Sequence, residues 1–307
     1  MINTSKPNLT DISNFTLDAG TGSKIVAIIL GNGFDIANNF KTRYGDFVKS
    51  QTFNELLSSN NSLAKHISGV YNLFNWVDVE LELGNYSFEL ERKTLPEKLY
   101  EVNTVFEQEY RALKSALYRY INSMTSSITN PKMKKLMDEW KNLTIPEYKT
   151  KLFIVTFNYL QWDTTTFLNE SIKENLIGKE PLHIHGITNY FTEDADNIVL
   201  GVENTGVRGK SHNFIVKAFD SNTKAPQYFR NILKATKYII FGCSIGGTDI
   251  RYFKPIFQNS KGKEFIIYGY GYKGLTDVQS NIAEICDFDT FITENEVKFI
   301  DSSEFTN

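Results

Sequence analysis

The stretch KIVAIILGNGFDIANNF, residues 24–40, sets the fold class of this chain. Residues 25–30 form an unbroken apolar run, which predicts a strand buried on both faces because a half-exposed strand would alternate with polar residues. The run ends at Gly31-Asn32-Gly33. Glycine tolerates positive φ and leaves backbone N–H groups uncovered, so this turn and the following helix can hold an anion such as a phosphate. A strand, a glycine turn and a helix in this order are typical of nucleotide sites in parallel sheets.

The glycine turn differs from a complete dinucleotide fingerprint. Ile36 occupies the place of the third glycine, and no clear second strand ends in an acid about twenty residues further on. An ordinary tight turn at the end of a strand explains the two glycines about as well. Both interpretations, a nucleotide site and a plain turn, therefore stay open at this point.

Composition excludes several classes of function. The chain has 307 residues, with 33 Lys and Arg against 36 Asp and Glu, a net charge of −3. This balance favours neither nucleic acid nor an anionic membrane as partner, and no apolar run approaches the roughly 20 residues that span a bilayer. Cys243 and Cys286 are too few for a disulfide scaffold or a thiolate zinc site. We expect a cytoplasmic protein, since two cysteines fit a reducing compartment.

The pattern along the chain predicts an α/β core with an α-helical insertion. Residues 1–23 are polar and lack a signal pattern, so we expect a flexible N-terminal segment. Apolar spacing predicts helices within residues 44–57, 62–74, 98–124 and 226–236, and from Pro131 onward, and strands at 151–157, 197–203, 237–241, 263–268 and 297–300. We assign residues 60–146 to the insertion, residues 24–59 and 147–307 to the core, and the polar residues 204–225 to a mobile loop or lid.

The segment VDVELEL, residues 77–83, is ambiguous. Strict alternation predicts a half-exposed strand, yet long helical segments follow. Carboxylates gather in either conformation, because Asp78, Glu80 and Glu82 share a strand face and Asp78 and Glu82 share a helix face. One interpretation is a solvated face. The other places Asp78 or Glu80 at a pocket rim, as a base or as an acceptor for a ribose hydroxyl.

Chemically active side chains follow several predicted strands. Asn158 comes directly after the strand at 151–157, where its alternative role is a helix cap or an Asx turn. In PLHIHG, residues 181–186, alternation places His183 and His185 on one strand face. Two such histidines could ligate a metal, but a third ligand would have to come from elsewhere. General base catalysis suits a histidine at a strand end better, although at least one of the pair is expected to be structural.

A second strand, glycine turn and helix follows at residues 237–249. Ser244 can bond a phosphate or a ribose, and Asp249 can cap the helix or hold a hydroxyl. Residues 269–272, GYGY, stand where a loop could cover an adenine. Since the carboxyl ends of parallel strands lie along one edge of a sheet, we expect Gly31, Asn158, His185 and the turn at Gly242 to converge.

The ordered motifs resemble those of a known family. They are GNGFD (31–35), WVDVE (76–80), TFNY (156–159), HIHG (183–186) and GCSIGGTD (242–249). Together they resemble the AbiH family of bacterial abortive-infection, anti-phage proteins over roughly residues 24–300. The resemblance implies antiviral defence. A phage or defence-system protein would then be a partner, and association with a second copy of the chain stays open.

The same order of motifs is more distantly similar to sirtuin-like, NAD-hydrolysing defence domains. This similarity implies a doubly wound, mostly parallel Rossmann-like sheet and NAD or a related nucleotide as ligand or substrate. It implies Asn158 and His185 as the catalytic pair. The four-cysteine zinc module of protein deacylases is missing from the sequence, so neither deacylation nor a metal is expected. The implied nucleotide-binding residues are Gly31, Asn32, Gly33, Phe34, Asp35, His183, Gly242, Ser244 and Asp249.

Three functions remain. The first is hydrolysis of NAD at the nicotinamide–ribose bond, with Asn158 holding a ribose hydroxyl or the attacking water and His185 accepting its proton. The alternative is a non-catalytic nucleotide-binding sensor or interaction module in an abortive-infection system. The third, a nuclease that uses Asp78, Glu80 and Glu82 with a divalent metal, is disfavoured by the charge balance.

Overall fold

A computed structural model describes residues 24–124, 127–141, 150–162, 174–178, 180–188, 195–203 and 208–306. The N-terminal segment 1–23, which we expect to be flexible, lies outside these ranges. None of the helices in the described part of the chain combines the length and the apolar character needed to cross a bilayer.

The core is a six-stranded sheet in which every neighbouring pair of strands is parallel. The strand order, β3-β2-β1-β4-β5-β6, is that of doubly wound dinucleotide-binding folds. The chain moves outward from β1 to β3 and then returns to the other side of β1, so the order reverses between β1 and β4. The predicted fold class is confirmed. The strands are β1 (Ile25–Leu30), β2 (Lys151–Thr156), β3 (Leu182–His183), β4 (Lys237–Phe241), β5 (Glu264–Gly269) and β6 (Glu296–Asp301).

The first strand is apolar throughout because both of its faces are buried, as predicted. Val26, Ile28 and Leu30 belong to the core between the sheet and the long helices. Ile25 and its alternate neighbours belong to the core on the opposite face. Strict period-two alternation thus divides one strand between two hydrophobic layers.

Helices cover both faces of the sheet, and those at Tyr44, Ser62, Leu99, Pro131 and Ala225 begin at or within one residue of the predicted starts. The predicted segment 62–74 coincides with a helix, in which the Asn61 side chain accepts a hydrogen bond from the Ala64 N–H at 2.8 Å and so caps the first turn. The predicted segment 98–124 matches a long helix to within two residues. The helices are α1 (Asn32–Ala37), α2 (Tyr44–Val48), α3 (Gln51–Ser58), α4 (Ser62–Phe74), α5 (Val79–Lys93), α6 (Leu99–Asn122), α7 (Pro131–Lys141), α8 (Ala225–Ile232), α9 (Ile250–Gln258), α10 (Gly271–Ile285) and α11 (Phe288–Glu294).

The ambiguous segment 77–83 is the start of helix α5 and not a strand. Asp78 is the N-cap, and its Oδ1 accepts hydrogen bonds from the N–H groups of Glu80 (3.0 Å) and Leu81 (3.1 Å). A side chain that satisfies these orphan donors stabilises the helical start. The interpretation of these acids as a solvated face is wrong, because Glu80 and Glu82 are only 5% and 9% exposed.

Two expectations for residues 197–225 are also wrong. Residues 197–203 form only isolated bridges, one pairing Gly186 with Ile198 and one pairing Val202 with Val216, so no strand is present there. The described part of the expected lid, from residue 208, contains two short 3-10 turns and the fully buried residues His212 and Lys217. This segment is therefore part of the core packing, and residues 204–207 lie outside the described ranges.

Candidate active site

A cavity of about 300 Å³ opens at the carboxyl edge of the sheet, where β1, β2 and β4 end. It adjoins the point between β1 and β4 at which the strand order reverses, which is where open α/β sheets bind ligands. The predicted convergence of distant strand ends is found here, whereas the roles of the residues stay predictions. The predicted site residues that line the cavity are Gly31, Asn32, Asp35, Asn158, His185, Gly242, Ser244 and Asp249.

The glycines of the first turn are needed for close packing and not for positive φ. The N–H of Gly31 donates to the Phe241 carbonyl and the N–H of Gly33 to the Gly242 carbonyl, each at 2.9 Å. The expectation that these two N–H groups are uncovered is therefore wrong. Neither residue has positive φ, whereas Gly242 has φ +69°. A Cβ on Gly31 would lie 2.5 Å from the Gly242 oxygen. Glycine is required because the turns after β1 and β4 touch backbone to backbone.

Replacing Gly33 by alanine is expected to lower the free energy of unfolding by about 1–3 kcal/mol. Its new Cβ would lie 2.5 Å from the Gly242 Cα, and a backbone atom cannot rotate out of the way. Urea denaturation measures the change. The matched control is Gly69→Ala in α4, where no atom lies within 4 Å of the new Cβ. There we expect a gain of about 0.5–1 kcal/mol, and equal behaviour of the two variants would contradict the contact.

Phe34 and His183, which we expected to contact the nucleotide, do not line the cavity. Phe34 is fully buried and packs on Trp162, with ring centroids 4.8 Å apart. The strand β3 ends at His183, so the two histidines do not share a strand face. His183 Nδ1 donates to the Asn158 carbonyl at 2.9 Å, and burial lowers the pKa of His183 to about 4. A neutral His183 thus helps to place the backbone of Asn158.

Asn158 presents an acceptor to the cavity. Its Nδ2 donates to the Gly31 carbonyl at 3.1 Å and to Oδ1 of Asp35 at 2.9 Å. Since both partner atoms are acceptors, the carboxamide NH₂ is committed to them. Within the described residues nothing donates to Asn158 Oδ1. That oxygen can therefore accept a hydrogen bond from a ligand hydroxyl or from water.

A buried lysine that sequence reasoning missed organises the charges around the cavity. Lys217 has no exposed side-chain surface, and its Nζ lies 2.8 Å from Oε2 of Glu80 and 3.0 Å from Oδ1 of Asp249. Burial by itself would lower the pKa of Lys217, but the two carboxylates raise it well above its usual value. Lys217 is consequently charged and holds both acids in place. The signal that could have revealed it is a lysine inside the otherwise apolar run FIVKAF, residues 214–219.

The segment around Lys217, residues 212–220, is held in place by contacts with α5 and α6. His212 Nδ1 lies 2.7 Å from Ser87 Oγ on α5, and its Nε2 lies 2.6 Å from Asn103 Oδ1 on α6. Ser87 and His212 are both completely buried, so this serine–histidine pair is an anchor and not a nucleophile with its base. On the other side of Lys217, Asp220 is paired with the buried Lys114 of α6 at 3.3 Å.

The three acids at the start of α5, Asp78, Glu80 and Glu82, lie in different environments. Glu80 lines the cavity and accepts from Lys217 and, at 2.7 Å, from Thr248 Oγ1. Glu82 instead faces His66 at 2.8 Å. Burial and the neighbouring Glu80 raise the pKa of Asp78, which also lines the cavity, to about 6. The acids thus do not gather around one point, and the described residues contain no group of three or more His, Cys, Asp or Glu side chains that could hold a metal ion.

His185 and Asp249 form a second polar pair on the cavity wall. His185 is 3% exposed, and its Nε2 lies 3.3 Å from Asp249 Oδ1 and 3.5 Å from Lys217 Nζ. Burial would raise the pKa of Asp249, but Lys217 and His185 together hold it well below its usual value. The Asp249 carboxylate is the nearer of these two partners and only accepts hydrogen bonds, so it favours a proton on His185 Nε2, whereas the more distant Lys217 ammonium can only donate. In that tautomer Nδ1 is the nitrogen that can take up a proton.

The turn after β4 supplies hydrogen-bond donors opposite these acids. The backbone N–H groups of Ser244, Gly246 and Gly247 have no acceptor among the described residues. Ile245 has φ +62°, an uncommon conformation for a β-branched residue, and its side chain is completely buried. The surrounding packing thus imposes the turn, and the turn keeps a row of free donors at the cavity.

A larger cavity of about 1040 Å³ adjoins the first one and shares Gly242, Cys243 and Ser244 with it. Gly33 and Tyr270 also line it. Helix α10 begins at Gly271, so residues 269–272 form a strand end and a helix start. Tyr270 lines this second cavity. That residues 269–272 cover an adenine stays a prediction.

A family model described as Bacteriophage abortive infection AbiH matches residues 27–269, which is most of the chain and includes the strand ends around the cavity. Curated proteins contain no match to this chain.

Proposed function

Because the chain belongs to the AbiH family of bacteriophage abortive-infection proteins, we propose that it acts in defence by cleaving NAD in the cavity between β1, β2 and β4. The bond broken is the one between nicotinamide and ribose. The observation that carries the proposal is that Asn158 and His185, although far apart in sequence, line the same cavity at the carboxyl edge of a doubly wound sheet.

The chemistry of the cavity wall supports a sugar with developing positive charge. Carboxyl groups of Asp78, Glu80 and Asp249 line the cavity. Cleavage of a glycosidic bond passes through an oxocarbenium-like transition state, and acceptor groups fixed around that cation stabilise it. The same acids would repel a phosphate. We therefore assign the cavity to the nicotinamide riboside part of NAD.

The rest of the nucleotide would extend past the turn after β4. Its phosphates would meet the free N–H groups of Ser244 and Gly246, since N–H donors suit anions. Its adenosine half would enter the larger neighbouring cavity beyond Gly242. This division replaces the expectation that the glycine turn after β1 holds the phosphates, because the N–H groups of Gly31 and Gly33 are already bonded.

In the proposed reaction each residue has one task. Asn158 Oδ1 accepts a hydrogen bond from a ribose hydroxyl or from the attacking water. His185 Nδ1 takes the proton of that water, while Asp249 holds the imidazole through Nε2. Lys217 keeps Asp249 ionised and holds the Glu80 carboxyl group in place at 2.8 Å. General base catalysis of this kind contributes on the order of 10² to 10⁴ in rate.

Incubating the purified full-length protein with NAD is expected to release nicotinamide and ADP-ribose. Chromatography of the mixture, with and without an extract of phage-infected cells, measures both products. Retention of intact NAD without cleavage would favour a non-catalytic nucleotide sensor. Neither binding nor cleavage in either condition would contradict the proposal.

A further inference from the structure

Asp35 is the buried acid of the cavity that has no cationic partner within 4 Å in the described part of the chain. It belongs to α1, is 1% exposed and still lines the cavity. Its Oδ1 accepts from Asn158 Nδ2 and from Trp162 Nε1, each at 2.9 Å. These neutral donors fix the orientation of the carboxyl group and stabilise a charge on it less than a cation would. A buried carboxyl in such surroundings is more easily kept protonated than one paired with a cation.

Asp249 in the same cavity has the opposite environment, since Lys217 and His185 contact it and keep it ionised. Burial raises the pKa of Asp35 to about 7, although hydrogen bonds from Trp162, Asn158 and Thr42 oppose this shift. The other titratable groups that line the cavity are Tyr44, Asp78, Glu80, Tyr159, His185, Cys243 and Asp249. Within the described part of the chain none of them forms an ion pair with Asp35. A neutral acid and an ionised carboxylate in one cavity are the acid and the stabilising base of glycosidic hydrolysis.

Hydrolysis of NAD does not need this acid. The nicotinamide ring is a cation while it is bonded to ribose and leaves as a neutral molecule. Adenine and other ordinary bases are neutral in the nucleotide and would leave as anions unless they receive a proton. A proton donor in the cavity therefore matters for nucleotides with a neutral base.

We propose that Asp35 is the proton donor to a departing neutral base, and that the substrates of this cavity include purine ribonucleotides. The proposal rests on the glycosidic hydrolysis proposed above. The bond between C1′ and the base breaks with its electron pair going to the base, which takes the proton of Asp35. Water bonds to C1′, and its proton passes to His185. One water is consumed, the free base and the ribosyl product leave, and solvent takes the extra proton from His185 and returns one to Asp35.

The test compares release of adenine from AMP with release of nicotinamide from NAD by the full-length protein and by Asp35→Asn. We expect wild type to release both bases. At pH 7 the loss of adenine release in the variant should exceed its loss of nicotinamide release by at least about a hundredfold. The matched control is Asp289→Asn, because Asp289 also stands in the first turn of a helix but is exposed.

A pH series on wild type tests the proposal even if the variant does not fold. Since Asp35 loses its proton as the pH rises through about 7, the ratio of adenine to nicotinamide release should fall above that pH. Nicotinamide release without adenine release would overturn this inference and leave the NAD proposal standing. A pH-independent ratio, or equal losses for both substrates in a folded Asp35→Asn, would also overturn it. Release of neither base would overturn both proposals.

Discussion

Replacing Lys217 by methionine is expected to lower the free energy of unfolding by about 3–5 kcal/mol. Methionine has a similar shape but no charge, so Glu80, with a side chain only 6% exposed, would lose the ammonium that now lies 2.8 Å away. Asp249 would lose the same partner at 3.0 Å, although 26% of its side chain is exposed and water can compensate part of that loss. A buried carboxylate without a counterion is among the most costly defects in a protein core. Urea denaturation at pH 7 measures the difference.

Lys254→Met is the matched control, because Lys254 lies on α9 and is exposed. We expect that variant to unfold within about 0.5 kcal/mol of wild type. Combining Lys217→Met with Glu80→Gln should restore part of the lost stability, since the unpaired buried charge is then removed. If Lys217→Met alone unfolds at the same urea concentration as wild type, Lys217 does not hold these carboxylates.

Replacing His185 by alanine is expected to reduce NAD cleavage by on the order of 10² to 10⁴. His185 is the cavity residue with a nitrogen that can take up the proton of the attacking water, and Asp249 lies 3.3 Å from its other nitrogen. Asn158→Ala should cause a loss of similar size, because it removes the oxygen that would hold the ribose or the water. Nicotinamide release, followed at saturating NAD, measures both variants.

His66→Ala is the control for this experiment. His66 belongs to α4, pairs with Glu82 at 2.8 Å and does not line the cavity. We expect it to leave cleavage unchanged, and thermal melting of all variants reports whether the fold is intact. A folded His185→Ala protein with wild-type turnover would remove His185 from the mechanism.

Much of the fold could be predicted because local patterns carry it. The apolar run at residues 25–30 predicts a doubly buried strand, and β1 is buried on both faces. Helical spacing predicts α4 and α6 to within two residues. The alternation at 77–83 fails for a local reason, since Asp78 caps α5 and the capping bonds favour a helical start over an extended strand.

The candidate site could be predicted only in part. Strand ends such as Asn158 and the turn at Gly242 are identifiable because parallel strands deliver them to one edge. Lys217 and Glu80 stand 137 positions apart in the chain, and no local pattern reports that they pair. The sequence shows glycines at positions 31 and 33. It does not show why glycine is required there, which is the close contact of this backbone with that of Gly242.

The amino-acid sequence by itself therefore determined the strand and helix pattern, the class of sheet and which strand ends could carry chemistry. Tertiary structure alone decided which of those side chains face the cavity, which carboxyls are ionised and where a buried lysine neutralises them. The physical reason is the distance along the chain over which the deciding interactions act. Backbone conformation and apolar periodicity depend on residues a few positions apart, whereas burial, charge pairing and pKa depend on groups that only the folded chain brings within about 4 Å.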